Sequence, residues 1–186
     1  MVSEDRLFQP LRLGQHQLNH RIVLAPMTRY RAGDNHVPAP YVKDYYAQRA
    51  STPGTLLVTE ATYVSARGGG YDNAPGIWNR EQVEAWKEVV DAVHAKGGVI
   101  FCQLWALGRV TGADPKSIRA SGFPVQGPSP IPVDAEHETP TELSTEEVQS
   151  YVDDFANAAQ NAFDAGFDGV EIHGRITSTP PIREGG

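Results

Sequence analysis

Short apolar runs alternate along this chain with longer stretches of helical period, and that alternation limits the fold more than any other feature. The runs are Arg21–Met27, Thr55–Glu60, Val99–Trp105 and Asp168–His173. Continuous runs of this length suit strands buried on both faces of a parallel sheet. Gly169-Val170-Glu171-Ile172-His173-Gly174 in particular has the pattern of a buried strand that delivers a histidine to its C-terminal end.

The intervening stretches carry helix signals. Tyr41 to Ala50 follows Pro38 and Pro40, and proline is common at a helix start; Tyr41, Tyr45 and Tyr46 are expected on one side. Asn79 with Gln82, and Ser144 with Glu147, have the spacing of capping boxes. Val83, Trp86, Val89, Val90 and Val93 then follow helical period, as do Val148, Tyr151, Val152, Phe155, Ala159, Ala162 and Phe163. Gly97-Gly98 and Gly166 close these helices, because a C-terminal cap often needs positive φ. Leu11 to Leu18 alternates around Gly14 and suits a small hairpin covering one end of the sheet. Ala106 to Leu143 is a long Pro- and Gly-rich connection, and loops of this length are usually functional.

The order is β-α-β-α-β-α-β, with helices long enough to cross between parallel strands. A (β/α)₈ barrel and an open doubly wound sheet both give this pattern. No G-x-G-x-x-G follows the first strand, which counts against a Rossmann dinucleotide site. Polar residues collect at strand C-termini: Thr28, Glu60, Gln103, Trp105 and His173. Barrels place their active sites there. A full barrel needs about 250 residues, and this chain has 186.

Composition narrows the function. The net charge of −7 argues against nucleic acid or an anionic membrane as partner. The six histidines show no short metal-ligand spacing. Cys102, the one cysteine, lies in an apolar run; it excludes an internal disulfide and fits a reducing compartment. The first residues lack a secretory pattern and no apolar run approaches membrane-spanning length, so a cytoplasmic protein is expected.

Five segments carry a family resemblance. They are Ala25-Pro26-Met27-Thr28-Arg29-Tyr30-Arg31-Ala32, Asp44-Tyr45-Tyr46-Ala47-Gln48-Arg49-Ala50, Gly69-Gly70-Tyr71-Asp72-Asn73-Ala74-Pro75-Gly76-Ile77-Trp78, Phe101-Cys102-Gln103-Leu104-Trp105-Ala106-Leu107-Gly108-Arg109 and Gly166 to Gly174. In this order they resemble the Old Yellow Enzyme family of FMN-dependent ene-reductases, in its fungal secondary-metabolism branch.

The resemblance implies a flavin TIM barrel, in which NADPH reduces FMN and hydride passes to an activated alkene. Pro26, Met27 and Thr28 would lie against the flavin ring, with Thr28 bonding its O4 edge. Gln103 would bond the pyrimidine edge, and Ala61 is the small residue beside the ring. Trp105 and Tyr71 would line the substrate pocket. His173 would be the catalytic donor to the carbonyl oxygen of an enone or enal natural-product intermediate.

The resemblance also implies a departure. The family has Asn and Tyr after the fourth strand's His-Gly, where this chain has Ile176 and Ser178. Residues 1–174 are therefore expected to form the N-terminal half of a flavin barrel, about four parallel strands with covering helices and a hairpin. Residues 175–186 are expected to be a divergent tail. The family's phosphate site lies in the other half, which puts FMN binding at issue. A half-barrel leaves strand edges open, so a homo-oligomer or a barrel-completing partner is expected.

Three functions stay open at this point: an FMN-dependent ene-reductase or isomerase; a flavin-free isomerase or cyclase using His173 with Tyr63, Tyr71 or Arg109; and a non-catalytic pseudoenzyme or partner subunit. Each site residue also has a plainer role available. Thr28 could simply end a strand, Gln103 could serve a structural hydrogen bond, Trp105 could be packing, and His173 could be a satisfied structural histidine.

Overall fold

The computed structural model describes residues 5–113 and 116–174. The chain begins with a hairpin, β1 (Leu11–Leu13) antiparallel to β2 (His16–Leu18), turned at Gly14 with φ of 58°. There follow β3 (Val23–Leu24), α1 (Val42–Arg49), β4 (Leu56–Val58), β5 (Thr62–Tyr63), α2 (Arg80–His94) and β6 (Val99–Trp105). A longer excursion contains α3 (Lys116–Ala120), β7 (Gln126–Gly127) and β8 (Thr141–Glu142), before α4 (Thr145–Asp164) and β9 (Gly169–Ile172).

The main sheet is parallel throughout. β3 pairs with β4, both β4 and β5 pair with β6, and β9 pairs with the other side of β6. β4 and β5 are thus two segments of one interrupted strand. Among the described residues the sheet has four strand positions, joined by α1, α2 and α4. The parallel sheet with crossover helices is what the alternation leads to, and it agrees with the partial (β/α) barrel that the family resemblance implies.

Alternation along β6 sorts its side chains by face. Ile100, Cys102 and Leu104 join the core formed with the helices, around Trp86, Val89, Val90 and Val93 of α2 and Ala158 and Ala162 of α4. Val99 and Phe101 point the other way and pack with Leu13, Leu18 and Leu56. The hairpin therefore covers the inner face at the N-terminal end of the strands, and the C-terminal end is left for polar residues. Among the described residues, no helix is long and apolar enough to cross a membrane.

Local chemistry explains the helix limits. Both capping boxes form: Asn79 accepts from the Gln82 N–H, and Ser144 accepts from the Glu147 N–H. Gly97 and Gly166 take φ of 72° and 93°, the left-handed cap conformation.

Several expectations need correction. The strand read over Arg21–Met27 is paired only at Val23 and Leu24, and Ile22, Val23 and Met27 are exposed. The last strand, read as buried, exposes Glu171 and Ile172. Both lie at edges of the described sheet, where no further strand or helix covers them. In α4 the apolar stripe is split: Ala158 and Ala162 are buried, while Val148, Val152 and Phe163 are exposed. In α1, Tyr46 is buried and Tyr41 is exposed, so the three tyrosines do not share one environment. The Ala106–Leu143 connection has short elements of its own. The proposed tail, 175–186, lies outside the described residues, with Ile176 and Ser178.

Candidate functional site at the C-terminal end of the sheet

The register gathers the site. Gln103 on β6 pairs with Glu171 on β9, and Leu104 pairs with Ile172. The His173 N–H continues this ladder to the Leu104 carbonyl at 3.0 Å. On the other side of β6, Thr62 pairs with Leu104 and Tyr63 with Trp105. Ala61 directly precedes this pair and is buried. Gln103, Ala61, Trp105 and His173 are therefore neighbours at one end of adjacent strands. Thr28 follows β3 in the next position and is half-buried.

The interrupted strand has a register consequence that the sequence did not suggest. Leu56 pairs with Val99 and Val58 with Phe101, an offset of 43; Thr62 with Leu104 and Tyr63 with Trp105 give 42. One extra residue is accommodated between Val58 and Thr62, which makes a β-bulge over Thr59-Glu60-Ala61. A bulge reverses which side chains face inward and often sits beside a functional site. Tyr63 is turned onto the face of Trp105, and their rings stack at 5.2 Å.

Hydroxyls satisfy the broken ladder. The Gln103 N–H donates to Thr59 Oγ1 at 3.0 Å, and Thr62 Oγ1 donates to the Glu60 carbonyl at 2.9 Å. The Glu60 N–H donates to the Tyr46 hydroxyl at 2.8 Å. Two threonines flanking a Glu-Ala pair were the available sequence signal.

An aromatic group surrounds His173. Its ring lies 5.9 Å from Trp105, which lies 6.1 Å from Tyr71, and Tyr71 meets Tyr30 edge-on at 6.1 Å. The Tyr71 N–H donates to the Tyr63 hydroxyl at 3.0 Å, holding this segment down. Burial raises the pKa of Tyr63 and Tyr71, so both phenols stay protonated at neutral pH. Behind His173 is a cavity of about 220 Å³ bounded by Gln126, Gly127, Pro128, Tyr151 and Phe155. Arg109 holds this excursion by donating to the Ile131 carbonyl at 2.6 Å and to Ser129 Oγ at 3.0 Å.

Two side chains decide what the site can hold. His173 Nδ1 is buried with no hydrogen-bond partner among the described residues. Such an atom is costly unless a ligand or partner satisfies it. The Gln103 Nε2 donates to Glu171 Oε1 at 2.6 Å, so this glutamine does have a structural bond within the sheet. A carboxamide still has a second hydrogen and a carbonyl to offer. Thr28, Ala61 and Gln103 form an uncharged set with one small member. They suit the edge of a flat heteroaromatic ring; they do not form a cationic cradle for a phosphate. Met27 is exposed and Pro26 half-buried beside them. No group of three metal-ligating side chains occurs among the described residues.

Comparison with known proteins follows the same lines. The model of the NADH:flavin oxidoreductase / NADH oxidase family matches residues 6–176. A chanoclavine-I aldehyde reductase of Penicillium roqueforti is 59% identical over 169 residues, covering 90% of this chain and 45% of that protein. A protein of Epichloe festucae var. lolii named a "probable inactive reductase" is 55% identical over 174 residues, covering 93% and 45%. The crystal structure of Old Yellow Enzyme from Pichia sp. matches with a TM-score of 0.86 and 38% identity, covering 90% of this chain and 45% of that one. The chain spans about half the length of the curated relatives it matches.

Proposed function

Because this chain belongs to the NADH:flavin oxidoreductase / NADH oxidase family, we propose that it supplies the ring-binding and carbonyl-polarising side of an FMN-dependent reductase. The substrate class is an α,β-unsaturated aldehyde or ketone from secondary metabolism, with NADPH as reductant. The observation that carries this reading is the buried His173 Nδ1 beside Trp105, which has no hydrogen-bond partner among the described residues, at the strand ends that also present Thr28, Ala61 and Gln103. The chemistry expected of a bound FMN is two-electron hydride relay from the nicotinamide to the alkene β-carbon.

The chain's own residues act around that step. Pro26 and Met27 would pack against the ring of a bound FMN, and the Thr28 hydroxyl would donate to a carbonyl on its edge. Ala61 would leave room for close approach, and Gln103, its amide fixed by Glu171, would bond the pyrimidine edge. Trp105 and Tyr71 wall the substrate. His173 donates to the substrate carbonyl oxygen and stabilises the negative charge that develops there; removing one such donor costs about 10²–10³ in rate.

Two measurements test this. Titration with FMN should yield a yellow complex with the shifted absorption of a bound flavin. His173→Ala should then lower enone reduction by about 10²–10³-fold with the flavin spectrum retained. Unchanged turnover removes His173 from carbonyl activation. A second reading, a non-catalytic homologue, is favoured by the Gln103–Glu171 bond, which gives the glutamine a role without any ligand. A colourless protein that takes up no FMN would select it.

A further inference from the structure

The β-bulge at the end of β4 does more than reverse side-chain faces. It pushes Glu60 out of the ladder and into the gap between the sheet and the chain leaving β3. There Glu60 Oε2 accepts the Arg29 N–H at 2.9 Å. Glu60 is only 3% exposed, so this carboxylate gives up nearly all contact with water. A carboxylate in that position needs hydrogen-bond donors, and a backbone N–H to a carboxylate is among the stronger bonds available.

The segment that Glu60 holds has reason to need holding. Tyr30, the residue after Arg29, has φ of 52°, a left-handed conformation that non-glycine residues seldom adopt. β3 itself is paired over only two residues. Beyond them, the chain from Ala25 to Thr28 has no ladder to fix it among the described residues. The next anchors are the Arg31 carbonyl, which accepts from the Tyr41 hydroxyl at 3.2 Å, and the Ala32 N–H bond to the Asn73 carbonyl at 2.9 Å, together with Asn73 Nδ2 to the Ala32 carbonyl at 2.9 Å. Glu60 fills the interval between the end of the ladder and these anchors.

The bulge is itself fixed from two sides. The Tyr46 hydroxyl accepts the Glu60 N–H, and Tyr46 is 1% exposed in the core between α1 and the sheet. Thr62 holds the Glu60 carbonyl. A cavity of about 210 Å³, bounded by Arg29, Tyr45 and Glu60 among others, lies beside the bond. Packing is loose on that side, where the Arg29 guanidinium lies 5.5 Å from the Tyr45 ring, and the hydrogen bond supplies the directional tie.

We infer that Glu60 is the positioning residue that sets the β3 exit, carrying Thr28, against the bulge that carries Ala61. Its role is to keep two separate chain segments in fixed relation at the candidate site. The consequence for flavin binding rests on the function proposed above; the clamp itself does not.

Hydrogen exchange of the flavin-free 186-residue chain, resolved by mass spectrometry, tests the clamp. Glu60→Ala should raise exchange in a peptide covering Arg29 by about tenfold, the effect of losing one such bond. Exchange in α2 and β6 should stay at the wild-type rate. Glu60→Gln keeps an acceptor oxygen and should lie close to wild type, and it covers the case in which the alanine variant folds poorly. Equal exchange at Arg29 in the wild type and Glu60→Ala overturns the inference. A rise spread evenly over α2 and β6 also overturns it, because that is the signature of general destabilisation. FMN affinity is measured in parallel and should weaken more in Glu60→Ala than in Glu60→Gln. If the exchange pattern appears but no variant or wild type binds FMN, the clamp stands and the flavin reading falls.

Discussion

Cys102 and Glu60 are two buried titratable groups whose surroundings raise their proton affinity. The Cys102 thiol is fully enclosed, and burial pushes its pKa up to about 12, with Thr59 and Thr62 opposing this only in part. At pH 8 the thiolate fraction is about 10⁻⁴, against roughly a quarter for an ordinary cysteine. Native alkylation by iodoacetamide should therefore run about 10³-fold slower than in denaturant. Rapid labelling of the folded protein would show that the core between sheet and helices opens easily. Glu60 titrates above its ordinary value of 4.5 because burial disfavours the charge, while the Arg29 N–H and charge lower the shift. The folded state thus holds this proton more tightly than the unfolded state. Its stability contribution is complete below pH 4.5 and is lost as pH rises through the raised folded value. Glu60→Gln cannot ionise, so its stability should change less over that window. Urea midpoints of the two proteins that fall in parallel from pH 4.5 to neutrality would clear Glu60 of this dependence. The apolar run around Cys102 announced its burial in the sequence. The burial of Glu60 was not announced, because it depends on a bulge and on contacts 14 and 31 residues away in sequence.

Two helix starts with the same sequence signature differ in what they support. Ser144 and Glu147 cap α4 at an exposed corner. Asn79 and Gln82 cap α2, but Gln82 is fully buried. Its Oε1 accepts the Trp78 N–H at 2.8 Å and the Asn79 N–H at 3.3 Å, and its Nε2 donates to the Asn35 carbonyl at 3.2 Å. Gln82→Ala removes all three bonds, which are partly shielded from water, and should cost about 1–3 kcal/mol. Ser144→Ala should cost about 1 kcal/mol. Equal shifts of the two variants in urea denaturation would show that the buried network adds nothing beyond the cap. The spacing of both boxes was legible because capping is local. The difference between them was not, because Asn35 and Trp78 meet Gln82 only when the loops around α2 pack. The bulge belongs to the same class, since register is a property of two strands and neither sequence alone specifies it.

The described sheet ends in two edges without partners, and apolar side chains gather near them. Ile22, Val23 and Met27 are 46%, 42% and 45% exposed at the β3 side, and Ile172 is 63% exposed on β9. Val152 and Phe163 of α4 are 54% and 53% exposed. Open strand edges with exposed apolar residues favour association. The isolated 186-residue chain should therefore sediment above its monomer mass at micromolar concentration. Val152→Glu with Phe163→Glu should shift it toward the monomer. A stable wild-type monomer across the concentration range would count against an association surface here.

The sequence by itself determined the alternation of strands and helices, the caps that bound α2 and α4, the hairpin, and the polar residues at strand ends. These follow from local hydrogen bonding and from periodicities of about two and 3.6 residues, which a single segment expresses. It also ordered the segments that relate the chain to its family. Only the tertiary structure decided which apolar faces are covered, since exposure at β3, β9 and α4 depends on what packs beside them. It alone revealed the one-residue slip at Thr59-Glu60-Ala61, the bond from Glu60 to the β3 exit, and a buried nitrogen of His173 with no partner among the described residues. Each depends on chain segments far apart in sequence, and their relation is fixed only when the sheet assembles.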